Sequence, residues 1–206
     1  FQQFASGGIY GILSISFALI GDILAYLLFP GYDFTKRAVS SLCKGPGGIF
    51  FQVGTVLSGI FAILFVIYIG GTFSETEINE KESKTALFFA LISCVSLIIL
   101  GAFCGSDPTI ALIHGVFAVI SWISGICYIT LFNILMLRDL KYSKFLAYIG
   151  FSVSISLSSM VIMFFLYYIP GLQNIVIILP LWEWINTFAM IFWYSAVSTY
   201  LLIKKI

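Results

Sequence analysis

The chain has 206 residues, of which 61% are hydrophobic and only 9% charged, and its formal net charge is +1. A soluble domain of this size needs a far larger polar surface, and a charge so near zero gives nucleic acid no electrostatic footprint. Composition therefore excludes a soluble catalytic domain and directs attention to the bilayer.

Crossing the hydrocarbon takes about 20 apolar residues in a helix. The first such stretch, 8–29, carries one acid, Asp22, eight residues before Pro30. A loop over 30–48 follows, with Gly, Pro and Ser and the cations Lys36, Arg37 and Lys44. The second span, 49–71, holds Gly54, Ser58 and Gly59. A mixed acidic loop, 72–84, contains Glu75, Glu77, Glu80 and Glu82 with Lys81 and Lys84. The third span is 85–104, and the tight turn Gly105-Ser106-Asp107-Pro108 leads into the fourth, 109–135, which carries the only histidine, His114. A short basic loop, 136–144, precedes a serine-rich fifth span, 145–169. The segment 170–180 runs between two prolines but is apolar at Ile175 to Leu179, and is expected in the interface or folded over the helix ends. The sixth span, 181–203, opens on Trp182-Glu183-Trp184.

In lipid the backbone must satisfy its own hydrogen bonds, so these spans are helices. The expected fold is all-α: a polytopic integral membrane protein with six transmembrane helices in one bundle, residues 1–206 forming a single domain. Small residues within the spans read as close helix packing, with a polar pathway through the fifth span as the lesser alternative. Phe188, Phe192, Trp193 and Tyr194 on the sixth span read as lipid contact. The sequence starts at Phe1, so no targeting signal is read from it.

Lys81, Lys84, Arg138, Lys141, Lys144, Lys204 and Lys205 fall on one face, against Lys36, Arg37 and Lys44 on the other. Cytoplasmic loops carry the excess of Lys and Arg, so both termini are expected inside. Of the cysteines 43, 94, 104 and 127, Cys43 and Cys104 fall on the same face, and whether they are bonded stays open. No cysteine pair has metal-ligand spacing, and neither a metal nor a cofactor is expected.

Charges within a membrane are rare and usually have a reason. At about 1.5 Å per residue, Asp22 lies about 12 Å below the outer end of its helix and His114 about 9 Å below the same face. Glu183 and Asp107 sit at that face, with Lys36 and Arg37 in its loop. Asp22, Lys36, Arg37, Asp107, His114 and Glu183 are thus the candidate polar-pocket residues, all in the outer half. Each also has a plain structural role: ion pairing for Asp22, a carbonyl partner for His114, an interfacial helix start for Glu183, a helix cap for Asp107. No catalytic set is assigned, because a Ser40 or Ser41 nucleophile beside His114 has no nucleophile-elbow motif around it.

Two segments resemble a known six-span family. They are Tyr32-Asp33-Phe34-Thr35-Lys36-Arg37-Ala38-Val39-Ser40-Ser41-Leu42, continuing at Gly45-Pro46-Gly47-Gly48-Ile49-Phe50-Phe51-Gln52-Val53-Gly54, and Ile113-His114-Gly115-Val116-Phe117-Ala118-Val119-Ile120-Ser121-Trp122 with Gly125 and Tyr128. The pattern resembles the proteins that include damage-regulated autophagy modulators and post-GPI-attachment lipid-remodelling proteins, with their uncharacterised prokaryotic relatives. Ser41 is followed here by Leu42 and Cys43, where such relatives often carry an acid. The resemblance implies a role in membrane lipid handling.

The expected function is binding of lipid or a membrane partner through the outer polar pocket. The partners expected are membrane lipids or other membrane-protein subunits, and not nucleic acid. An accessory subunit of a larger complex, a lipid-modifying enzyme and a small transporter are the competing readings.

Overall fold

The computed structural model describes residues 7–73, 77–174 and 177–206, with backbone alone at 77–79. Six helices make up the fold: α1 (Gly8–Leu27), α2 (Gly48–Gly71), α3 (Glu77–Ala102), α4 (Pro108–Arg138), α5 (Lys144–Tyr167) and α6 (Leu179–Lys204). All six are long and apolar enough to cross a membrane, and no strand occurs among the described residues. The chain is a multi-pass membrane protein. Each helix packs against the next, and α6 returns to α1, so the six close into a ring.

The helix ends follow local chemistry. Asp107 accepts hydrogen bonds from the Thr109 and Ile110 N–H groups at 2.9 and 3.2 Å, and Pro108 needs no donor in that first turn. Ser143 caps α5 through the Phe145 N–H. The largest boundary difference is at α3, which starts at Glu77 rather than 85. Its Glu and Lys residues are good helix formers, and Glu80 and Lys84 pair at 2.6 Å one turn apart, so the helix continues out into water. Glu75, Ile175 and Val176 lie outside the described residues. The rest of the 170–180 segment stays a turn up to α6, with Ile177 and Ile178 exposed.

Small residues do set the packing. A Cβ on Gly54 would stand 2.7 Å from the Phe17 carbonyl oxygen and 2.8 Å from Gly21 Cα, so α1 and α2 touch backbone to backbone. Ser14 donates to the Ser58 carbonyl across the same seam at 2.9 Å, and Ser93 donates to the Ser121 carbonyl between α3 and α4 at 3.0 Å. The α5 serines divide between neighbouring helices and their own: Ser154 accepts from the Thr130 hydroxyl and Ser159 from the Trp182 indole. Ser152 and Ser158 bond back to their own helix, and Leu157 is the α5 residue that reaches the central cavity. On α6 the four aromatics divide: Phe188 and Phe192 are exposed, while Trp193 and Tyr194 are buried. One residue step is about 100° of helix turn, so neighbours cannot all face lipid.

The half of the ring near both termini is filled. Trp193, Tyr128, Phe65, Phe73 and Phe132 are fully enclosed there. Its rim is tied by Arg138 to Glu82 at 2.7 Å, Lys141 to Asp139 at 3.1 Å, and the Tyr200 hydroxyl to the Lys141 carbonyl at 2.7 Å. At the opposite end the ring is hollow.

A candidate binding cavity under a disulfide-tied strap

The hollow end is covered by the chain between α1 and α2. This strap, 28–47, contains a short 3-10 helix, Val39–Lys44, that packs against α1, α2 and α6. Leu42 is fully buried beneath it, beside Ala25 and Phe51. Cys43 is disulfide-bonded to Cys104 at the end of α3, with Cα atoms 5.9 Å apart. The bond left open by the sequence is therefore formed. Further ties hold the strap to α6: Glu183 Oε1 accepts the Ser40 N–H at 3.0 Å, and the Trp184 indole donates to the Arg37 carbonyl at 3.2 Å. Within the strap the Tyr32 hydroxyl donates to the Ala38 carbonyl at 2.6 Å, and burial pushes its phenol pKa up. The Asp33 carboxylate accepts from the Thr35 hydroxyl and N–H and faces Lys36, which holds it below the usual carboxylate range.

Below the strap lies a cavity of about 210 Å³ walled by all six helices. Asp22, His114 and Glu183 all line it, as the depth count along the helices suggested. They share its wall without forming a compact set, for no three His, Cys, Asp or Glu among the described residues stand close enough to share a metal ion.

Asp22 is 8% exposed and makes no hydrogen bond or ion pair among the described residues. The expected pairing with Lys36 or Arg37 does not form. Lys36 is solvated and reaches Asp33 at 3.4 Å, three residues away. Arg37 lies over the Phe29 ring at 5.0 Å, on the outside of the strap. Both long side chains take local partners at the water surface, where a cation keeps its hydration. Asp107 is likewise not a cavity residue, because both its bonds go to the start of α4. Three of the six expected pocket residues, Lys36, Arg37 and Asp107, thus stand outside the site.

His114 Nδ1 lies 2.8 Å from the Leu100 carbonyl. A carbonyl only accepts, so this nitrogen carries the proton, and the ring is held in place between α3 and α4. Ser41 donates to the Ala38 carbonyl at 2.7 Å. No serine–histidine bond of the kind that activates a nucleophile is formed among the described residues.

The residue that sequence reasoning missed is Asn186. It lines the cavity at 4% exposure, its Nδ2 donates to the Trp182 carbonyl at 2.9 Å, and its Oδ1 has no donor. The signal was present: Asn186 follows Glu183 by three residues, on one helix face with Met190 and Tyr194. Comparable stripes run through Ser14, Ala18 and Asp22 on α1 and through His114, Ala118, Ser121 and Tyr128 on α4.

The cavity wall is uneven. On the α1, α2 and α3 side, Asp22, Ala25, Phe51, Leu100 and Cys104 are all buried close to the strap. On the other side, α4 has no buried residue before Ala118, α5 none after Met160, and α6 none before Asn186. That side is bridged by sparse contacts. The Trp122 and Phe164 rings meet edge to face at 5.4 Å, and the Trp182 indole donates to the Ser159 hydroxyl at 2.9 Å. The tight wall is locked by the disulfide.

A family model described as a protein of unknown function (DUF998) matches residues 12–199. No curated protein and no solved structure matches the chain.

Proposed function

The chain belongs to the DUF998 family, and we propose that it is an intramembrane binding protein, holding a membrane amphiphile with the polar head in the six-helix cavity and the chain toward the α4–α6 side. The observation that carries this reading is Asp22: a carboxyl 8% exposed, without a partner, facing a cavity of about 210 Å³. An unpaired acid within a bilayer is costly, on the order of several kcal/mol, and a site that retains one has use for it. The remaining lining is largely apolar, with Ile15, Leu97, Leu100 and Met190 beside the polar groups. A polar head and an apolar body match that division. The loosely packed α4–α6 wall favours a route from the lipid, since the strap covers the route from water.

The reading places the strap outside the cell and both termini in the cytoplasm. Two independent arguments support this. Seven of the ten Lys and Arg residues lie at the terminal face. The Cys43–Cys104 bond at the other face belongs to an oxidising compartment. Impermeant maleimide should label a Lys36→Cys variant on intact cells. A Leu140→Cys variant, fully exposed at the terminal face, should react only after permeabilisation. Labelling in the reverse pattern would invert the topology.

Binding is tested by purifying the parent, Asp22→Ala and Asp22→Asn in mild detergent and quantifying extracted lipid per chain. The parent should retain a near-stoichiometric amphiphile. A hydrogen bond to a charged group contributes about 1.5–3 kcal/mol, so Asp22→Ala should retain roughly tenfold less, or lower still. Because Asp22 has no protein partner, its removal leaves nothing stranded, and delipidated Asp22→Ala should melt at or above the parent. Equal lipid in all three proteins, or a stoichiometric protein partner in its place, would overturn this function.

A further inference from the structure

We propose that the head recognised in this cavity is a primary ammonium group, an inference that rests on the binding reading above and specifies its ligand. It comes from matching donors to acceptors on the cavity wall. Most of the wall's donors are already used. Ser14 and Ser93 donate across to neighbouring helices, and Thr55 donates to the Phe51 carbonyl at 2.8 Å. His114 is committed to the Leu100 carbonyl, and the Tyr128 and Tyr194 hydroxyls bond one another at 3.2 Å. No Lys or Arg is among the lining residues.

The acceptors are not used. Asp22 has both carboxyl oxygens unmet. Asn186 Oδ1 is buried without a donor. Its orientation is fixed, because the Trp182 carbonyl accepts from Nδ2 and would repel an oxygen. Glu183 takes the Ser40 N–H on Oε1, and a carboxylate offers about four lone-pair sites. These groups come from two adjoining helices, Asp22 from α1 and the Glu183–Asn186 pair from α6. A wall rich in acceptors, carrying two carboxyls and no cation, attracts a positively charged donor and repels a phosphate or carboxylate. A primary ammonium brings three N–H donors on one charge, which suits three separate acceptors. A trimethylammonium has the charge but no N–H, and would leave Asn186 Oδ1 unmet.

The experiment measures binding of decylamine, decanol, decyl phosphate, decyltrimethylammonium and ethylamine to the full chain in neutral detergent by calorimetry. Decylamine should bind at least about tenfold tighter than the other three decyl compounds. Asp22→Asn should lose most of that preference, as should Asn186→Leu. A thermal melt identifies any variant that fails to fold, and Asp22→Asn, nearly isosteric, carries the test alone if Asn186→Leu does not. Equal binding of all decyl heads overturns the ammonium inference and leaves the binding function standing. Trimethylammonium binding as tightly as the amine overturns the N–H matching. No binding by any probe overturns both readings. Ethylamine binding as tightly as decylamine supports the ammonium site but makes its source a soluble amine, which sinks the membrane-amphiphile reading.

Discussion

Replacing Cys43 and Cys104 together by serine is expected to lower the midpoint of thermal unfolding in detergent by roughly 5–10 °C. The bond closes a loop across a sequence separation of 61, for which chain entropy alone contributes about 4 kcal/mol. The loop contains all of α2 and α3, which stay helical in a membrane-like environment, so about 2–4 kcal/mol is the range to expect. The loss also loosens the strap over Leu42 and the Ser40 N–H contact to Glu183. The parent treated with reductant should shift as far as the double variant, and the variant should not respond to reductant. A parent whose midpoint ignores reductant and matches the variant would show that the bond adds nothing to the fold.

Adding a single methyl at Gly54 should be nearly as damaging. A Cβ there meets main-chain atoms of α1 at 2.7 and 2.8 Å, and one on Gly21 meets the Phe50 carbonyl oxygen at 2.6 Å. Main chain in a helix cannot swing aside as a side-chain tip can, so Gly54→Ala should cost about 1–3 kcal/mol by forcing α1 from α2. Gly115→Ala is the matched control. Nothing lies within 4 Å of its added Cβ, and alanine is the better helix former by about 0.8–1 kcal/mol. The two variants should therefore separate in melts, Gly54→Ala below the parent and Gly115→Ala at or above it. Coincident melts would remove the claim of backbone contact.

The helices were legible because length and apolarity decide a transmembrane span with little help from tertiary contact. Depth below the helix end was also legible, since rise per residue is fixed, and it brought Asp22, His114 and Glu183 to one cavity. The fate of Lys36 and Arg37 was not legible. Depth says nothing about whether a flexible side chain turns inward or outward, and Asp33 and Phe29 were nearer partners than Asp22. Trp193 and Tyr194 needed the rotational phase of α6, which depth along the helix does not give. Asn186 was passed over because an amide in a span reads as packing until its unmet oxygen is seen.

The uneven ring also has an order of manufacture. Translation delivers α1, the strap, α2 and α3 first, so both cysteines of the strap bond precede α4, which begins at Pro108, along the chain. The covalent tie of the first half-ring therefore needs nothing from the second half of the chain. That half-ring leaves one flank of α1 unclaimed for about 75 further residues of synthesis, from Cys104 to Leu179. The late arrival, α6, then closes on a glycine: a Cβ on Gly8 would strike the Ser198 carbonyl and come 2.7 Å from the Leu202 side chain. The chain thus completes its rigid wall early and inserts its pliable wall last, so the side through which a ligand would pass is also the last to be built.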